Sequence, residues 1–111
     1  MMEIETRKQE NATVVSVTGK MDAVSSPELE KELSQLMAEG EKNFVVDLAE
    51  LDYISSAGLR IILATAKRLK EKEGKILLAS LKDMVKEVFE ISGFSAIIPI
   101  YESVDSALDH V

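Results

Sequence analysis

The chain has 111 residues, of which 46% are apolar, and its 13 basic and 20 acidic residues give a formal charge of −7. One ordinary domain, residues 1–111, is expected, because a chain of this size buries roughly two-thirds of its unfolded surface without a disulfide or metal. The absence of cysteine excludes thiol catalysis, thiolate metal sites and disulfide frameworks, and the negative balance works against nucleic acid and anionic membrane.

Residues 2–9 alternate weakly around Ile4 and read as an edge strand, and Glu10-Asn11-Ala12 reads as a turn. Thr13–Thr18 is rich in β-branched residues and pairs naturally with that first strand, with Gly19 ending it. Ser25-Ser26-Pro27-Glu28 is a helix start: serine to cap, proline in the first turn, and an acid at the positive end of the dipole. Leu29, Leu33, Leu36 and Met37 follow at helical spacing, and Gly40 is the stop.

The run Phe44-Val45-Val46-Asp47-Leu48 predicts a buried strand. A second helix is expected from Ser56 to Glu73, with Leu59, Ile62, Leu63, Ala66 and Leu69 on its apolar face and Gly74 closing it. Lys75–Ala79 predicts another strand. Ser80-Leu81-Lys82-Asp83 has the form of a capping box before a helix carrying Met84, Val85, Val88 and Phe89, which stops near Gly93. Residues 96–100 predict a last strand, and Ser103 caps a last helix. The order β-β-α-β-α-β-α-β-α implies an α/β domain with a mixed, mostly parallel sheet, an N-terminal antiparallel hairpin and about four helices.

The sequence offers little catalytic chemistry. His110 stands alone near the C-terminus, where a solvated tail residue is the simpler reading. Asp22, Asp47 and Asp52 fall near strand ends or loops, and could serve as a carboxylate site for hydrolysis or Mg²⁺, or as ordinary turn and helix-start residues. No phosphate-binding glycine loop or dinucleotide fingerprint is present. No catalytic residue, cofactor or metal site is therefore expected. The first residues lack the basic and apolar regions of a signal peptide, and no apolar run reaches the ~20 residues of a spanning helix, so a cytoplasmic chain is expected.

One segment concentrates unusual features: a buried strand leads into a short loop, and then two serines open a helix, in Leu48-Ala49-Glu50-Leu51-Asp52-Tyr53-Ile54-Ser55-Ser56-Ala57-Gly58-Leu59-Arg60. Ser56 is the natural N-cap of a helix beginning at Ala57, and capping alone would account for both serines. A kinase could also reach a hydroxyl there. The phosphate would add about −1.5 to −2 charges at the positive end of the helix, leaving the fold intact and changing the surface. Gly58 permits close approach; Ile61 and Ala64 lie off the core stripe and would dock a partner or pack against a neighbouring loop; Arg60 would pair with an anion or stay solvated.

Here the sequence resembles the STAS domains, specifically the bacterial anti-sigma factor antagonists. The resemblance rests on the hairpin, Thr18-Gly19-Lys20-Met21-Asp22, Val45-Val46-Asp47-Leu48, Tyr53-Ile54-Ser55-Ser56-Ala57-Gly58-Leu59 and Phe89-Glu90-Ile91-Ser92-Gly93-Phe94, in that order. It implies a partner switch. The unphosphorylated chain binds an anti-sigma factor that is also a serine kinase, freeing the sigma factor; phosphorylation releases the chain, and a PP2C-type phosphatase restores it. By matching position the modified residue is Ser56, with Ser55 the alternative. Asp22, Ser55, Ser56, Ala57, Gly58, Arg60 and Ile61 would form the partner surface. The chain departs from the family pattern at Ser55, where an acid is usual, and at Arg60, where glycine often stands. Relatives also occur in stress-sensing assemblies and lipid-transport complexes, so a constitutive, unphosphorylated subunit is the alternative reading. The chain is expected to be monomeric when free and to need no nucleic acid or membrane.

Overall fold

The computed structural model describes residues 2–111. Ten regular elements follow one another: β1 (Met2–Lys8), β2 (Thr13–Met21), α1 (Ser26–Ala38), β3 (Asn43–Asp47), β4 (Leu51–Ile54), α2 (Ser56–Glu71), β5 (Lys75–Ala79), α3 (Asp83–Ile91), β6 (Ile100–Tyr101) and α4 (Val104–Leu108). The sheet runs β1-β2-β3-β5-β6, with β4 added beside the end of β2. Only β1 is antiparallel to its neighbour; every other pairing is parallel. The expected mixed α/β domain with an N-terminal hairpin and four helices is what forms.

The two faces of the sheet explain its sequence. Phe44, Val46, Ile76 and Leu78 point into a large core shared with Leu29 and Leu33 of α1, Ile62 and Leu69 of α2, and Val85 and Phe89 of α3. The alternate residues Val14, Val45, Leu77 and Ala79 face a smaller cluster closed by Ala107 of α4. Because both faces are covered, β3 and β5 read as unbroken apolar runs rather than alternating ones.

The structure corrects the sequence reading at five points. First, β2 continues through Gly19 to Met21: Gly19 takes φ +100° where the register shifts, and this bulge lets β2 go on to pair with β4. Second, β4 itself occupies residues read as loop; only its two ends, Leu51 and Ile54, are buried, so it shows no period of two. Third, the last strand is two residues, not five. A single 3₁₀ turn takes Phe94–Ala96, and Pro99, lacking an N–H, joins the ladder only through its carbonyl, which accepts from the Leu78 amide. Fourth, Ser80 does not cap α3. It sits at φ +64° and donates its amide to the Tyr101 carbonyl, Lys82 holds the cap position, and the Lys82 ammonium pairs with Asp52. Fifth, the left-handed residue after α2 is Glu73, at φ +60°, rather than Gly74.

Candidate functional site

The parallel pairing of β2 with β4 places Met21 opposite Ile54, so the loops that leave these strands emerge side by side. A hydrogen bond from the Ser55 amide to the Met21 carbonyl, 2.8 Å, ties them together. One loop carries Asp22, the other becomes the head of α2.

Asp22 organises its own loop. Its Oδ1 accepts from the amides of Val24 (3.0 Å) and Ser25 (2.9 Å), while its amide donates to Ser25 Oγ (3.1 Å). The Ser25 hydroxyl proton is shared between Asp22 Oδ1 and the Lys20 carbonyl, both at 2.9 Å. Ser25 therefore precedes α1 without capping it by its side chain. The Ser25 amide, then the Ser25 hydroxyl and the Val24 amide, hold the Asp22 carboxyl below the ordinary value of 3.8. A carboxyl with a lowered pKa stabilises the fold above its ordinary value, and that contribution is lost as pH falls through the lowered one. Glu41, bonded by Lys8 and Thr13, and Asp52, bonded by Lys82, are lowered in the same direction. Urea unfolding between pH 6 and pH 2 is therefore expected to show stability falling below about pH 4. The Asp22→Asn variant should lose less over that window than the unsubstituted chain, because of the three lowered carboxyls only Glu41 and Asp52 then remain.

At the head of α2 the two serines have different tasks. Ser55, not Ser56, is the N-cap: it is extended, half-buried, and its Oγ accepts from the Gly58 amide at 3.4 Å. Ser56 is the first helical residue, with an exposed side chain that makes no hydrogen bond among the described residues. The expectation that Ser56 caps fails because helical geometry begins one residue earlier, where the Met21 carbonyl anchors the Ser55 amide. The amides of Ser56 and Ala57 have no partner among the described residues, the usual state of a first helical turn.

The neighbouring residues divide by burial. Gly58 is buried because α2 lies directly on the end of β2 and β4: a Cβ there would stand 2.8 Å from the Met21 side chain and 2.9 Å from that of Ile54. Ala57 is half-buried, Ile61 is half-buried against the main core, and Arg60 and Ala64 are exposed. Asp47 lies apart from this site; its carboxylate accepts from the Ala49 amide and the Ser16 hydroxyl, and Asp52 is engaged by Lys82. No group of three or more potential metal ligands occurs among the described residues.

Sequence reasoning missed three exposed apolar residues around the site. Val24, in the Asp22 loop, is 88% exposed; Tyr53 and Met84 are 49% and 76% exposed. Tyr53 and Met84 border one apolar hollow of about 160 Å³, floored by Ile54, Val85 and Val88. No spacing rule joins them, because the approach of α3 to β4 creates the hollow. Val24 lies in the Asp22 loop and Tyr53 in the strand that leads to Ser56, so exposed apolar side chains occur on both chain segments that meet at the head of α2.

Comparisons with known proteins identify the family and the fold. The family model described as the STAS domain matches residues 3–107. BtrV of Bordetella bronchiseptica, a candidate anti-sigma factor antagonist, is 41% identical over 106 residues, covering 96% of this chain and 91% of BtrV. The crystal structure of an anti-sigma factor antagonist from Mycobacterium paratuberculosis superposes with a TM-score of 0.92 at 27% identity, covering 100% of this chain and 94% of that one. SpoIIAA of Bacillus, solved in unphosphorylated and phosphorylated forms, gives TM-scores of 0.84 and 0.77, covers 97% of this chain and 95% and 98% of its own, and at 16% identity shares the fold alone. None of the helices among the described residues is long and apolar enough to cross a membrane.

Proposed function

The chain belongs to the STAS domain family, among its anti-sigma factor antagonists, and on that premise we propose that it is a regulatory binding module switched by phosphorylation of Ser56. In its unmodified form it binds an anti-sigma factor that is also a serine kinase, and so releases the sigma factor. Transfer of phosphate to Ser56 ends that binding, and a PP2C-type phosphatase resets it. The cycle is cytoplasmic and needs no cofactor, metal, nucleic acid or membrane.

The observation that carries this reading is the division of labour between adjacent serines. Ser55 holds the helix cap, while Ser56 offers a free hydroxyl one residue further on, beside the Asp22 loop. To the partner surface around it we assign the exposed Asp22 loop with Val24, together with Tyr53, Arg60 and Met84, while Gly58 fixes the position of the helix and Ala57 and Ile61 are half-buried beneath it. Charge placed there meets the positive end of α2 and is tolerated by the fold. SpoIIAA, which shares the fold, is itself known in a phosphorylated form.

The test is to capture the kinase from the native cell extract on the immobilised chain, add Mg²⁺-ATP, and map phosphate on the bait. Release of the kinase together with a phosphopeptide modified at Ser56 is the expected result. A complex that persists through ATP, with residues 53–60 unmodified, would instead make the chain a constitutive subunit of a larger assembly.

A further inference from the structure

At the far end of α2, away from Ser56, lies a groove of about 570 Å³. Ala66 of α2 and Ile97 and Pro99 before β6 supply its apolar walls, and the edge of β5 at Ile76 and Leu77, whose side chains are themselves buried, forms its floor. Ile97 is left 59% exposed there. Tyr101 and His110 stack at a centroid distance of 4.6 Å and close one end.

The rim is strongly one-signed. Lys67, Lys70 and Lys75 border the groove, and no carboxylate does, although the chain carries 20 acidic residues against 13 basic ones. None of the three is ion-paired; the pairs among the described residues are Lys8–Glu41 and Lys82–Asp52. Two of the lysines lie in the last turns of α2, where the helix dipole alone favours cations. Lys75 does not: it opens β5 on the opposite wall, and its ammonium is held at the groove by a 3.2 Å bond to the His110 carbonyl. An apolar trough with unpaired cations on both sides has the chemistry of a site for an amphipathic anion, and its volume is that of a small-molecule pocket.

We infer that this groove binds an organic anion with one alkyl chain, the chain lying along Ala66, Ile97 and Pro99 and the anionic head between Lys70 and Lys75. Each methylene fully withdrawn from water strengthens binding roughly fourfold, so in an open groove a gain of about two- to fourfold per methylene is expected. The groove begins about 15 Å along the helix from Ser56, at Ala66, and the Lys70 end lies about 21 Å from it; the site stands whether or not that serine is modified.

The test is an amide NMR titration of the ¹⁵N-labelled full chain at low salt with hexanoate, octanoate and decanoate, and with acetate, 1-octanol, octyltrimethylammonium and octyl phosphate as the other arms. Saturable shifts at Ile76, Ile97, Tyr101 and His110, tightening along the carboxylate series, are expected. The double variant Lys70→Gln/Lys75→Gln should weaken octanoate at least tenfold, and Lys31→Gln/Lys86→Gln should leave it unchanged. Tighter binding of octyl phosphate than octanoate would assign a phosphate head, and the reverse a carboxylate; either upholds the site. Equal binding of 1-octanol or octyltrimethylammonium, acetate shifts matching those of octanoate, or no saturation with any alkyl anion would overturn it.

Discussion

Phosphoserine at position 56 is expected to weaken binding of the chain to the proposed kinase partner by more than 100-fold while changing the unfolding free energy by less than about 1 kcal/mol. The two effects separate because they act on different surroundings. Within the fold, the phosphate sits on the first turn of α2, whose leading amides lack partners among the described residues and whose dipole favours an anion. In the proposed complex, a double negative charge would be buried at the partner surface assigned to the exposed Val24, Tyr53 and Met84 and to Asp22. An uncompensated charge buried in an interface costs several kcal/mol. Ser56→Ala should keep the affinity and lose the phosphopeptide. Ser56→Asp should fall between, since a carboxylate has less charge and a different shape from a phosphate. Ser55→Ala is the informative neighbour: it should remain a substrate but lose about 1 kcal/mol of stability, because the Gly58 amide loses its cap. Isothermal titration with the purified kinase and urea unfolding measure both quantities on the unsubstituted chain and on these four altered forms. If Ser55→Ala abolished modification and kept its stability, the roles assigned to the two serines would be reversed.

That division between the serines was beyond the reach of the sequence, and the reason is physical. Serine is a good N-cap at either position, so local propensity does not choose between 55 and 56. The choice is made by the Met21 carbonyl, which fixes the Ser55 amide from a strand more than thirty positions earlier. Other elements were readable because their determinants are local. Lys75–Ala79 forms a strand with the bounds that its aliphatic run predicts, and Ser103 caps α4 through the Ser106 amide. β4 was not readable, since four residues with only their ends buried carry no periodic signal. The apolar flanks of the candidate site share that difficulty. Val24, Tyr53 and Met84 sit in three separate elements, and only the packing of β4 on β2 and of α3 on β4 makes them neighbours of one site.

The same contrast between local and tertiary causes separates the glycines, and it gives a large expected effect on stability. Gly74→Ala should cost about 3 kcal/mol or more, at the upper end of overpacking, out of the 5–15 kcal/mol that typically holds a domain together. Gly74 has no left-handed φ, so an alanine suits its backbone conformation; what it lacks is space. A Cβ there would stand 2.1 Å from the Lys42 carbonyl oxygen and 2.9 Å from the Lys42 side chain. The carbonyl cannot turn away freely, because it accepts from the Lys75 amide at 2.9 Å where β3 and β5 begin. Nor can residue 74 retreat, since its own amide donates to the Leu69 carbonyl at 2.7 Å at the end of α2. Relief of the clash must therefore break the β3–β5 junction or the helix terminus. Gly40→Ala is the matched control: Gly40 has φ +101° and nothing within 4 Å of a Cβ, so it pays only backbone strain, about 1–2 kcal/mol. Urea midpoints at constant slope should rank the unsubstituted chain above Gly40→Ala, and Gly40→Ala above Gly74→Ala. The opposite order of the two variants would mean that the crossing of the chain at Lys42 and Gly74 is looser than its geometry requires.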